Sequence, residues 1–170
     1  MSVLIRKLSK KKNASIFRDS SNIDDVSADA VVQEFKTSGD TLSVWETTKD
    51  SIDLGILAVA LSSEHIDTMD FIVLDKESTE SIGLHIKATT AEANPLVHAN
   101  EIHRDIVNLR LQDFHRLASV YRNAAIDNAN ILRYTKAQLH SKISEALKKG
   151  WIDSEKVNDK IRKVIDSIAC

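Results

Sequence analysis

Residues 69–75, Met-Asp-Phe-Ile-Val-Leu-Asp, constrain the fold more than any other stretch of the chain. A nearly continuous apolar run of this length is the pattern of a central strand covered on both faces, because a strand with one wet face alternates apolar and polar residues. Two elements lead into it. Residues 41–48, Thr-Leu-Ser-Val-Trp-Glu-Thr-Thr, alternate with period two. Residues 51–63 then carry Leu54, Leu57, Ala58 and Leu61 at helical spacing, with Ile56 and Val59 widening the stripe until the helix reads as mostly buried. Strand 41–48, helix 51–63 and strand 69–75 have the spacing of a βαβ unit, which predicts two parallel neighbouring strands joined by a crossover.

The flanks extend this sheet. Residues 2–8, Ser-Val-Leu-Ile-Arg-Lys-Leu, form a short β-capable run, and 9–26 reads as a basic, polar linker. Ser27 is placed to cap a helix that stops at Ser38-Gly39-Asp40. Residues 83–89 suit an edge strand. Only four Gly and one Pro occur in 170 residues, which argues for long helices and against an all-β sandwich or barrel.

After Pro95 the periodicity is helical. Ile102, Ile106 and Leu109 mark a first helix that loses phase at Arg110–Asp113. Phe114, Leu117, Ala118, Tyr121 and Ala125 mark a second, running on to Leu132. Leu139, Ile143, Ala146 and Leu147 mark a third, ending at Gly150. Asp153 or Ser154 caps a fourth with Val157, Ile161, Val164, Ile165 and Ile168. The expected fold class is therefore α+β. A small mixed or parallel sheet of three to four strands with one βαβ unit occupies the N-terminal half, and a helical C-terminal half of three to four helices follows. The expected division is 1–95 and 96–170, one compact domain with a helical C-terminal extension.

The formal charge of −2 is unevenly spread. Residues 1–18 carry +6 and residues 136–170 carry +3, while 19–135 hold nine basic and twenty acidic residues, a net −11. Such polarity steers charged partners. No run of about 18 apolar residues is present, so no membrane span is expected. Charges interrupt the opening Met-Ser-Val-Leu-Ile-Arg-Lys-Leu-Ser-Lys-Lys-Lys-Asn where a secretory signal needs an apolar segment. Cys170 is the lone cysteine, which rules out a disulfide framework. A cytoplasmic location is the expectation.

Several chemistries are excluded by motif. His103-Arg104-Asp105 spells the opening of the protein-kinase catalytic loop, yet that loop needs Asn five positions after the Asp, where this chain has Arg110. Scarce glycine removes the phosphate-binding loop and the dinucleotide fingerprint, so no cofactor is expected. No Gly-x-Ser-x-Gly elbow or His-Glu-x-x-His helix occurs.

The candidates that remain lie at 98–115 and at the basic ends. His98, Glu101 and Asp105 fall on one face of a helix and offer a metal an imidazole and two carboxylates. His103, Arg104 and His115 supply the residue types of a metal-free phosphodiesterase or ribonuclease: two imidazoles for acid–base work and a guanidinium for the phosphorane. Arg6, Lys10, Lys11 and Lys12 suit a partner surface or the phosphates of a nucleic acid, and Trp151 at the helix corner suits either a staple or a contact anchor. Trp45, in a strand, reads as core. With no catalytic signature, the leading expectation is a non-catalytic protein-binding module, an accessory subunit or a neutralising, immunity- or antitoxin-like partner. A small phosphodiesterase and a nucleic-acid-binding regulator are the alternatives.

Overall fold

A computed structural model describes residues 1–169, apart from the side chains of Lys11, Lys160 and residues 167–169. Cys170 and the apolar side chain of Ile168 therefore lie outside the described residues. The elements in order are β1 (Ser2–Lys7), α1 (Lys11–Asp19), α2 (Ala28–Glu34), β2 (Leu42–Thr48), α3 (Ile52–Leu61), β3 (Met69–Asp75), α4 (Lys76–Ser81) and β4 (His85–Ala88). Then come α5 (Ala99–Ile102), β5 (His103–Val107), α6 (Leu111–Ile126), β6 (Ile131–Tyr134), α7 (Lys136–Lys148) and α8 (Asp159–Ala169).

The strands form one six-stranded sheet in the order β4-β5-β2-β1-β3-β6, with every neighbouring pair antiparallel. This overturns the expected small parallel or mixed sheet. β2 and β3 run the same way, since each is antiparallel to β1, but they are not neighbours. β1 lies between them, paired Ile5↔Trp45 on one side and Ile5↔Val73 on the other. The crossover β2-α3-β3 is thus a split βαβ unit, a feature that spacing alone does not reveal.

The C-terminal half is not wholly helical either. Ile102, Ile106 and Leu109 have helical spacing, but α5 stops at Ile102 and residues 103–107 form β5, which covers the open edge of β2. In a segment this short, edge pairing overrides the apparent period. Asn108, at φ 59°, makes the left-handed turn that ends β5 and leads to α6. The expected tail of α6 to Leu132 ends instead at Ile126, and 131–134 pair with β3 as β6. The expected linker 9–26 contains α1, whose Phe17 is fully buried.

Helices cover both faces. Alternate strand residues divide between two cores: Ile5, Trp45 and Phe71 pack with α3, α7 and α8, while Leu4, Val44 and Ile72 pack with α1, α2 and α6. β3 contributes to both cores, which accounts for its unbroken apolar run. Of these strand residues, the fully buried Leu4, Ile5, Val44, Phe71 and Ile72 each contribute on the order of 1.5–3 kcal/mol. The corner after α7 is a Schellman motif: Gly150 has φ +68°, its N–H donates to Leu147 O, and Trp151 N–H donates to Ala146 O. No helix among the described residues is long and apolar enough to cross a membrane.

α3 rests directly on β1. A Cβ at Gly55 would lie 3.0 Å from Ile5 Cγ1 and 3.2 Å from its Cβ and Cδ1. Gly55→Val is therefore expected to destabilise the fold by ~1–3 kcal/mol through overpacking, read as a lower midpoint in urea with an unchanged slope.

Candidate functional site

The β1–β2 ladder ends before either strand does. Its last pair is Ile5↔Trp45. Beyond it β1 continues beside β3 to Lys7↔Phe71, and β2 continues beside β5 to Leu42↔Ile106. The two central strands thus part into a fork at residues 6–7 and 42–44. The Arg6 guanidinium spans the opening, donating from Nη1 to Ser43 O at 2.8 Å and from Nη2 to Glu34 O at 3.3 Å.

The fork opens into a cleft of about 910 Å³. Arg6, Lys7, Trp45, His103 and Lys156 line it, together with the C-terminal end of α3 and the loop 90–95. Asn94 fixes that loop: its amide donates to Ala58 O at 2.8 Å and Ser62 Oγ at 2.6 Å, and its oxygen accepts from Leu96 N–H at 2.8 Å. Asn94 thereby ties the loop to the last turn of α3, at the Ala58 carbonyl that Ser62 also bonds. Asn158, beside Lys156 on the wall, caps α8 by accepting from Ile161 N–H.

Charge in the cleft is one-sided. The side chains of Lys7 and Lys156 are exposed and have no partner among the described residues. Arg6 bonds only to carbonyl oxygens, and Glu92 is the one acidic residue of the lining. His103, 9% exposed, stands edge-on to Trp45 with ring centroids 4.7 Å apart. Its Nδ1 lies 2.8 Å from Thr89 Oγ1, and its other ring nitrogen has no partner among the described residues. Trp45 belongs to the core, as its strand pattern suggested, and also forms part of the cleft wall.

Behind Arg6 lies a buried polar cluster. The fully buried Glu34 carboxylate accepts from Ser9 N–H at 3.0 Å and from Asn13 Nδ2 at 2.9 Å. Burial, the largest influence, raises Glu34 above the usual carboxylate range despite these bonds and the nearby Arg6 charge. Burial likewise pushes the Tyr121 hydroxyl far up, so it stays protonated. Arg6 Nε, Asn13 Oδ1 and Tyr121 Oη are buried without hydrogen-bond partners.

The residues singled out in sequence are dispersed. Strand alternation sends Arg104 to the sheet face opposite His103, where its Nε meets Glu46 at 2.6 Å. His115 lies on α6, 3.4 Å from Asp24. His98 and Glu101 approach to 3.4 Å, but Asp105 belongs to β5 and accepts from Ser43 Oγ at 2.8 Å. Among the described residues no group of three or more His, Cys, Asp or Glu is placed to hold a metal. Lys10 and Lys12 are exposed next to the cleft residue Ser9 in sequence, and the Lys11 side chain lies outside the described residues. Trp151 sits half-buried between the His98 ring at 5.8 Å and Lys149 Nζ at 4.6 Å, the staple geometry at the helix corner. Lys7, Trp45 and Lys156 were missed as site residues. Their convergence depends on the fork and on the approach of α8, neither of which leaves a local signal.

No family model matches this sequence, and neither do any curated protein or solved structure.

Arg104 acts in a structural network. Glu46 accepts from Lys76 Nζ at 2.7 Å, Ser2 Oγ at 2.8 Å and Arg104 Nε at 2.6 Å. Burial raises its pKa, but these three bonds outweigh burial and hold it below the usual carboxylate value. The ionised carboxylate therefore stabilises the fold above the ordinary carboxylate range near pH 4.5. That stability is lost as pH falls through the depressed native value. Glu34 has the opposite sign, since its raised value makes the folded state bind a proton more readily than the unfolded chain. Glu46→Gln is expected to lower stability at pH 7 by ~1–3 kcal/mol and to flatten the acid limb, measured as urea midpoints between pH 7 and pH 3.

Proposed function

We propose that the chain is a non-catalytic binding module, acting as an accessory or neutralising partner of another protein, and that its cleft receives an anionic group of that partner. One observation carries this reading. Arg6, Lys7 and Lys156, none of them paired with a carboxylate among the described residues, converge on one concave site in a chain whose net charge is negative. Cations held around a recess with a buried aromatic wall attract and orient an anion better than the same charges on a convex surface.

Hydrolysis at the same cleft has one observation in its favour, the free ring nitrogen of His103. The companions it would need from the sequence, Arg104 and His115, are engaged elsewhere. Binding is therefore the preferred reading.

The two tryptophans make the test direct. In a Trp151→Phe background, emission reports Trp45 in the cleft. Poly-L-glutamate and pyrophosphate are expected to shift that emission saturably at low salt. Lys7→Glu and Lys156→Glu, both exposed, are each expected to weaken the response about tenfold, ~1.4 kcal/mol. Silence toward both anions at low ionic strength would remove the reading. Phosphodiester turnover abolished by His103→Ala would replace it with the hydrolytic one.

A further inference from the structure

The cleft meets the sheet where backbone hydrogen-bonding capacity goes unused. In an antiparallel ladder, alternate residues of a strand direct both their N–H and C=O to the same neighbour. Leu8 N–H donates to Asp70 O, in register with the β1–β3 ladder. Even-numbered β1 residues therefore bond toward β3, and odd-numbered ones toward β2. Val3 and Ile5 meet Thr47 and Trp45 in this way. Lys7 is the next odd residue, and its register partner would be Ser43. That pair is not formed, and Ser43 O accepts Arg6 Nη1 instead. The N–H and C=O of Lys7 thus point into the fork without a ladder partner. This fork is an internal edge in a sheet whose outer edges are the short strands β4 and β6.

Resting on the binding reading above, we infer that the partner enters the fork as an extended acidic segment of a polypeptide. One residue of that segment pairs with the backbone of Lys7 as an added strand residue, and its carboxylates meet Lys7 and Lys156 on one face of the sheet, with Arg6 bridging the opening from the other. An extended peptide has the donor and acceptor needed to satisfy both Lys7 groups at once. A bare oxyanion has acceptors only and leaves the Lys7 carbonyl unsatisfied. Side chains alternate along an extended segment, so carboxylates on alternate residues project to one side, toward Lys7 and Lys156. Arg6 already bonds a backbone carbonyl across the opening, as an arriving peptide carbonyl would be bonded. Trp45 and His103 give the segment an aromatic wall to lie against.

The probe is a capped hexapeptide of alternating Glu and Thr, compared with the same peptide N-methylated at alternate amides and with pyrophosphate. Binding is read from Trp45 emission in the Trp151→Phe protein. The unmodified peptide is expected to bind at least tenfold more tightly than the methylated one, and Lys7→Glu, which keeps the backbone, is expected to weaken both without erasing that ratio. Equal binding of the two peptides would overturn strand pairing while leaving anion recognition in place. Response to pyrophosphate but to neither peptide would also overturn it, in favour of a small oxyanion. Silence toward all three would remove the binding reading itself. A Lys7→Gln variant, which keeps the backbone and loses the charge, should weaken both peptides yet retain their ratio. Loss of the ratio in that variant would count against backbone pairing.

Discussion

The fold depends on the placement of β1 between β2 and β3. Leu4 and Ile5 are both fully buried, one in each core, so this single strand ties the two helical layers together. Removing it would leave β2 and β3 parallel, unpaired along their inner edges, and joined only through α3. The close approach of Gly55 to Ile5 follows from the same arrangement, because α3 must lie flat across the strand that splits its own crossover. The fork follows as well. β1 stays with β3 to its end, β2 stays with β5, and the space between them becomes the mouth of the cleft.

Electrostatics divide along the sheet. On one face, Glu46 gathers Lys76, Arg104 and Ser2 into a satisfied network of mainly structural value. At the fork, Arg6 is held by carbonyl oxygens and by proximity to Glu34, with Lys7 and Lys156 left facing solvent. The clustering of orphaned polar atoms around Glu34 marks this as a region where complete satisfaction has given way to charge placement. Exposed lysines on convex surfaces are commonplace; in a recess, with an arginine already bridging two backbones, they define a direction of approach.

Legibility from sequence followed the range over which each signal acts. The unbroken run of β3, the buried stripe of α3 and the Gly150 corner are local patterns, and each marks an element at its observed place. Sheet order was not legible, because nothing in residues 2–8 says that they pair on both sides. The segment 102–109 misled for a definite reason: Ile102, Ile106 and Leu109 satisfy a helical period while the strand between them is only five residues long. Of the candidate site, His103 and Arg6 were legible as reactive or basic residues and do reach the cleft. Arg104 and Asp105 were drawn in by the same three-residue word, yet β-alternation sends Arg104 to the far face and hydrogen bonding commits Asp105 to Ser43.

The central position of β1 has a consequence during synthesis. This strand leaves the ribosome before either neighbour, and its pairing Val3↔Asp75 must wait for the end of β3. At roughly 5–20 residues per second that wait is several seconds. Through it, a segment apolar toward both faces has β2 at most for a partner and one edge left open, the circumstance in which strands pair with other molecules instead. Arg6, Lys7, Lys10 and Lys12 stand at and just beyond its end, and such flanking charge discourages intermolecular pairing. The cations that face the cleft in the finished protein thus also guard its stickiest strand on the way to the folded state.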